Sequence, residues 1–215
     1  MSLFKHLNEI DTTLMPITQG YWEEMHEWIY AEIGKKLTDN HVVDIGCGCG
    51  LLGIYLVYNE YVDTAELYDP REPQITYAEK LVEYLDLTHR ITIHREIARP
   101  ERLIDKTIVS TRFGDLEEFE KFIFKNKLIT VRRTAEVEPL FVRKQNLPWK
   151  VTEISNGDFE LELLECDFDY IKEMINRERW VESLSDFVLD FLDKPYVLDS
   201  MTEVSYIGGD KIKWK

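Results

Sequence analysis

The amino-acid sequence predicts an α/β fold: a mostly parallel, doubly wound sheet with an antiparallel hairpin at one edge and helices added at the N- and C-terminal ends. Three observations carry this. Short apolar runs of strand character alternate with stretches of helical spacing up to about residue 133. That is the rhythm of right-handed βαβ units and of a parallel sheet buried on both faces. One of the strands, in the run His41-Val42-Val43-Asp44-Ile45-Gly46-Cys47-Gly48-Cys49-Gly50, ends in an acid and opens straight into a glycine turn. Beyond residue 150 two strand-like runs flank Ser155-Asn156-Gly157-Asp158, and Asn-Gly in that position is a strong hairpin signal.

The elements follow in order. Trp22, Met25, Ile29 and Ile33 recur at helical spacing, with Thr18 and Gln19 before them and Gly34 closing the run. Tyr21 and Trp22 either cap a pocket or pack in the core, and packing is the commoner role of such aromatics. The first strand spans His41 to Gly46, and a helix runs from about Leu51 to Asn59. The second strand is Ala65 to Tyr68, ending at Asp69-Pro70. Pro73 marks a helix start, where its missing N–H costs nothing, and that helix continues through Leu85. Arg90 to His94 alternates as a third strand. Pro100 opens a short helix through Leu103 and Ile104. Thr107 to Thr111 and Lys127 to Val131 are the fourth and fifth strands, with a helix marked by Leu116, Phe119, Ile123 and Phe124 between them. Val151 to Ile154 and Phe159 to Leu163 form the edge hairpin. Helical spacing returns from Tyr170 through Met174, Val181, Leu184, Val188 and Phe191, and the tail, Val197 to Lys215, reads as a terminal hairpin around Gly208-Gly209.

With 215 residues, 44% of them apolar and 31% charged, the chain is long enough for one folded domain with a sizeable core. The expected organisation is a single domain, 1–215: an N-terminal helical segment at 1–40, the core sheet at 41–166, and a C-terminal helical extension and tail at 167–215. No apolar run approaches the roughly 20 residues that span a bilayer, and the polar start, Met1 to Thr13, is not that of a secretory signal. Three cysteines, two of them inside the glycine turn, cannot make a complete disulfide framework, so a reduced, cytoplasmic setting is expected. A metal pair at Cys47 and Cys49 lacks further ligands nearby, and His6, His26, His89 and His94 show no metal-ligand spacing. A net charge of −15 argues against tight, sequence-independent binding to nucleic acid, DNA included, or to anionic lipid, which relies on Lys and Arg. The charge is uneven, however. Lys125, Lys127, Arg132, Arg133, Arg143, Lys144 and Lys150 cluster ahead of the acidic series Asp158, Glu160, Glu162, Glu165, Asp167 and Asp169. Two readings stay open: solvated faces of opposite sign, or a basic rim facing an anionic substrate.

The glycine turn narrows the ligand. A strand, a tight turn and a helix put bare N–H groups and a carboxylate at one mouth of a parallel sheet. A second acid, Asp69, stands where the next strand ends. This points to a nucleoside cofactor with an amino-acid end. Gly48, Gly50 and Gly53 also match the dinucleotide spacing, but the apolar strand stops at Ile45. Counted from Gly46, the third dinucleotide glycine falls at Leu51 and is missing, and Asp44 would repel a pyrophosphate. A ligand with a cationic amino group tolerates that carboxylate far better.

Val42-Val43-Asp44-Ile45-Gly46-Cys47-Gly48-Cys49-Gly50-Leu51-Leu52-Gly53-Ile54 resembles motif I of the class I, Rossmann-like, S-adenosylmethionine-dependent methyltransferases. The likeness spans roughly Val42 to Val131, and the later hairpin fits the antiparallel strands of that family. It implies S-adenosylmethionine as cofactor, bound by Asp44, Gly46, Cys47, Gly48 and Gly50 at the turn. Asp69 would grip both ribose hydroxyls, and Pro70 and Arg71 either border the adenine edge or only turn the chain. Glu96 would meet the adenine, against its plain reading as an exposed loop residue, and Ser110 would stand at the tip of the fourth strand. After that strand the chain carries Ser110-Thr111-Arg112-Phe113-Gly114 and no Pro-Pro pair, which argues against an exocyclic-amine enzyme. The Ser-Thr-Arg run faintly resembles the ribosomal-RNA guanine-N7 methyltransferases of the glucose-inhibited-division B type. Arg112 either holds an anionic substrate or makes a surface ion pair.

No catalytic set stands out, which suits methyl transfer: an in-line displacement needs alignment and exclusion of water more than a general base. The expected partners are S-adenosylmethionine or S-adenosylhomocysteine and an unidentified methyl acceptor (a small molecule, a protein or RNA), with self-association through the C-terminal region open. The competing readings are a catalytically inactive relative acting as a binding or regulatory module, and a dinucleotide oxidoreductase, which the glycine register disfavours.

Overall fold

The structure is a computed structural model that describes residues 3, 21–111, 119–123, 126–133, 149–167, 169–171, 173, 204–207 and 211–214. Contacts divide the chain into two units, Met1–Ile171 and Lys172–Lys215.

In the first unit the described elements are α1 (Tyr21–Gly34), β1 (His41–Ile45), α2 (Leu51–Tyr58), β2 (Thr64–Tyr68), α3 (Glu72–Tyr84), β3 (Ile91–His94), a 3-10 turn (Pro100–Arg102), β4 (Thr107–Ser110), β5 (Lys127–Arg133), β6 (Lys150–Ser155) and β7 (Glu160–Asp167). The strands form one seven-stranded sheet in the order β3-β2-β1-β4-β5-β7-β6. β3, β2, β1, β4 and β5 are parallel neighbours, and β7 joins β5 antiparallel. The sheet is therefore α/β, mostly parallel and Rossmann-like. In the second unit Val204–Ile207 (β8) and Lys211–Trp214 (β9) pair antiparallel as a separate two-stranded sheet, matching the hairpin expected in the tail. The C-terminal helical spacing from Met174 to Phe191 and the run Arg112-Phe113-Gly114 lie outside the described residues.

Packing explains why these segments adopt these forms. Val42, Ala65, Leu67, Val109 and Ile129 join one cluster with Ile29 and Ile33 of α1 and with Ile54, Leu56 and Val57 of α2. Every residue of α2 from Leu52 to Val57 is buried, as a helix apolar all round must be. α3 is amphipathic and buries Ile75, Ala78, Leu81 and Val82. Pro73 sits in its first turn, as expected.

Two differences from the sequence reading are informative. The short helix expected from Pro100 is a single 3-10 turn; Leu103 is buried while Ile104 stays exposed, and Asp105 with φ 56° turns the chain back toward β4. The basic and acidic stretches also lie side by side in part. Lys127 stands opposite Asp167 in the β5–β7 ladder, and Lys150 opposite Glu165 in β6–β7. Opposite charges facing across strands support the pairing. Lys36 adds an ion pair to Glu165 at 3.1 Å.

Candidate active site

The strand order reverses between β1 and β4, since the chain moves outward from β1 to β2 and β3 and then returns to β4 on the other side. The crevice beyond the carboxyl ends of the strands at such a reversal is where open α/β sheets bind ligands. A cavity of about 500 Å³ lies there, within the usual size range for small-molecule sites. Ile45, Gly46, Tyr68, Asp69, Pro70, Arg71 and Ser110 form its strand-tip side; Ile97, Ala98, Pro100, Phe119, Lys121 and Phe122 close it from the loops.

The glycine turn is built by close packing. Gly50 has φ 74° and caps α2, and a Cβ there would lie 3.0 Å from both Ala78 and Leu67. At Gly53 a Cβ would meet Leu67 Cδ2 at 2.2 Å, so the third glycine of the spacing lets α2 press onto the sheet. The turn is tied to the second strand by the Cys47 N–H donating to the Tyr68 carbonyl at 3.1 Å.

The two acids are held differently. Asp69 is one residue past the tip of β2, and its N–H still donates to the His94 carbonyl of β3 at 3.2 Å. Its Oδ2 accepts from the Gly48 N–H at 2.8 Å and the Arg71 guanidinium at 2.7 Å. Its Oδ1 accepts from the Arg71 N–H at 2.8 Å and Arg71 Nε at 3.0 Å. Burial works against the charge, but these donors outweigh it, and the carboxyl is held below its ordinary value. Asp44 lies inside β1 and is turned under α2, where Oδ2 accepts the Gly53 N–H at 3.0 Å. Burial dominates here; the single N–H offsets it in part, the charge of Asp69 adds to it, and the carboxyl is pushed up to about 7.

A polar network props the cavity floor. Tyr68 stacks on His94 with ring centroids 4.1 Å apart and donates its O–H to Glu66 at 2.9 Å. Glu66 also faces His41 and His94 at 3.2 Å and Lys106 at 3.7 Å. Burial raises the Glu66 carboxyl, yet the Tyr68 hydrogen bond, the Lys106 ammonium and the two facing imidazoles hold it below its ordinary value. Burial pushes the Cys47 and Cys166 thiols far up and Cys49 to about 11.

Of the residues singled out from sequence, Gly46, Asp69, Pro70 and Ser110 meet at the cavity, and Arg71 joins them. Gly48 reaches it through its N–H on Asp69. Gly50 and Asp44 instead build the packing beneath the turn. Cys47 is partly buried in the turn without lining the cavity, and Glu96 faces Arg102 at 3.6 Å on the surface. Sequence reasoning missed Tyr68, Ile97, Ala98 and Phe122. Ile97 and Ala98 follow Glu96 directly in the loop after the third strand, where apolar side chains carry no motif signal. The side chains of Tyr21 and Trp22, and Arg112 entirely, lie outside the described residues.

No protein-family model matches the chain, and no curated protein matches it in sequence. Solved structures do resemble it. The N-terminal domain of human METTL16 in complex with S-adenosylhomocysteine superposes with a TM-score of 0.52 at 18% identity, over 78% of this chain and 80% of that one. The METTL16 methyltransferase domain in another crystal form gives a TM-score of 0.52 at 20% identity, over 77% of each chain. A truncated form of that domain gives 0.52 at 16% identity, over 77% of this chain and 94% of its own. The fold is thus the Rossmann-like α/β fold that these methyltransferase domains also have. Among the described residues, no helix is long and apolar enough to cross a membrane.

Proposed function

We propose that this chain is an S-adenosylmethionine-dependent methyltransferase. The observation that carries the reading is the cavity at the strand reversal, walled by an ionised strand-tip acid beside a glycine turn. Asp69 suits a ribose diol because a carboxylate accepts paired hydroxyl donors strongly. Ile97, Ala98 and Phe122 offer an apolar wall for a flat base, and Gly46 and Ser110 border the strand-tip end. When bound, the cofactor would supply an electrophilic methyl on a sulfonium. The chain's own residues would orient it, exclude water and align the acceptor. The adenosyl complex of one similar fold supports this choice of ligand.

The acceptor is a small molecule, a protein or RNA. Incubating the protein with cell extract and a labelled methyl donor reports which fraction gains label. Calorimetry with S-adenosylmethionine, S-adenosylhomocysteine and NAD runs beside it. Tighter binding of NAD overturns the cofactor, and adenosyl binding with no label in any fraction favours the inactive binding module.

A further inference from the structure

The Asp69 carboxylate has no acceptor site left to offer. An ionised carboxylate has about four lone-pair sites, and four donors from this chain fill them: two backbone N–H groups, from Gly48 and Arg71, and two guanidinium nitrogens of Arg71. A ribose diol brings two more donors, so two must leave. The backbone pair is fixed, Gly48 by the turn and the Arg71 N–H by its place at the start of α3. The guanidinium is on a flexible stem, and its side chain is 59% exposed while that of Asp69 is 1% exposed. It can return to water at little desolvation cost, whereas the carboxylate cannot move out to meet a ligand.

We propose that the Arg71 guanidinium occupies the ribose seat as an internal competitor, and that binding of a vicinal diol displaces it. This rests on the adenosyl reading above and adds that the site is self-occupied. Displacement exchanges two charged N–H donors for two neutral O–H donors on the same carboxylate, which keeps the backbone N–H bonds from Gly48 and Arg71; the lost ion pair is what the diol has to offset. The apparent affinity for a diol ligand is reduced by the fraction of molecules in which the seat is free. A ligand without the diol leaves the guanidinium in place and escapes that reduction.

The test measures binding of S-adenosylhomocysteine and its 2′,3′-dideoxy analogue to the wild type, Arg71→Met and Arg71→Lys by calorimetry. Arg71→Met is expected to bind S-adenosylhomocysteine about tenfold tighter, as for a seat free in roughly one molecule in ten. The dideoxy analogue should bind both proteins alike. Arg71→Lys keeps the charge without the fork and should show a smaller gain with the same dependence on the diol. In wild type, the Arg71 Nε proton should exchange slowly in the free protein and fast at saturation by NMR. Unchanged or weaker binding by both variants overturns the proposal. So does an equal gain for the dideoxy analogue, or an Nε proton still protected at saturation. If the wild type binds S-adenosylhomocysteine and Asp69→Asn abolishes this while the Arg71 variants change nothing, only the competitor falls. If none of the proteins binds it, the adenosyl reading falls too.

Discussion

The tips of β1 and β2 look alike in sequence, each an apolar strand running into an aspartate, yet the structure puts the two acids to different uses. Asp44 precedes the last residue of its strand, under α2, with one N–H from Gly53. Asp69 follows the last residue of its strand, past the cover of that helix, with four donors. A shift of two places relative to the strand end separates a packing group from a cavity-lining one. An acid near a glycine turn is thus a functional signal only once its distance from the strand end is known.

The sharpest way to break this contrast is at Asp69. Asp69→Ala should weaken S-adenosylhomocysteine by about 100-fold in calorimetry, the loss of charge-assisted bonds worth ~2–3 kcal/mol. An unchanged affinity would falsify the ribose role. Next is the packing beneath Asp44. Gly53→Ala places a methyl 2.2 Å from Leu67 and should cost about 1–3 kcal/mol of stability in urea unfolding.

The acids should also differ in their pH signatures. The folded Asp44 value, about 7, lies above the ordinary 3.8. Its stabilising contribution is therefore fully present below 3.8 and lost as pH rises through about 7. Asp69 is shifted the other way, so its contribution is present above 3.8 and lost as pH falls below it. Asp44→Asn should gain stability relative to wild type between pH 4 and 8, read from urea midpoints across that range. A constant difference across the range removes Asp44 from the account. The smallest effect is expected at Glu96, whose contact is an exposed pair with Arg102. Glu96→Gln should change adenosyl affinity by less than about twofold, and a larger loss would return that residue to the site.

Much of the fold was legible because burial imposes period. β1, α2, β2 and β3 begin and end within about a residue of where alternation and turn residues put them. β5 and β7 ran past their apolar stretches, to Arg133 and Asp167, because the antiparallel ladder between them pairs Arg133 with Leu161 and Lys127 with Asp167. Cross-strand partners, not hydrophobicity, set those ends. For the candidate site, Gly46 was legible in the glycine turn, and Asp69 and Ser110 in their places at strand ends. Ile97 and Ala98 lie in an aperiodic loop, Phe119 carries helical spacing that reads as ordinary core, and Phe122 belongs to no motif, so none of them advertises a cavity wall.

The Asn156-Gly157 turn has a consequence in time. Asn156 Oδ1 accepts the N–H groups of Asp158 at 3.1 Å and Phe159 at 2.9 Å, and Gly157 takes φ 97°, so this loop closes with contacts only a few residues apart. Such hairpins assemble in about 1–10 μs, whereas the central parallel strands must first bring distant stretches of chain together. The sheet margin latest in the polypeptide is therefore expected to be among the earliest pieces to organise, waiting as a preformed ribbon for β5 to arrive.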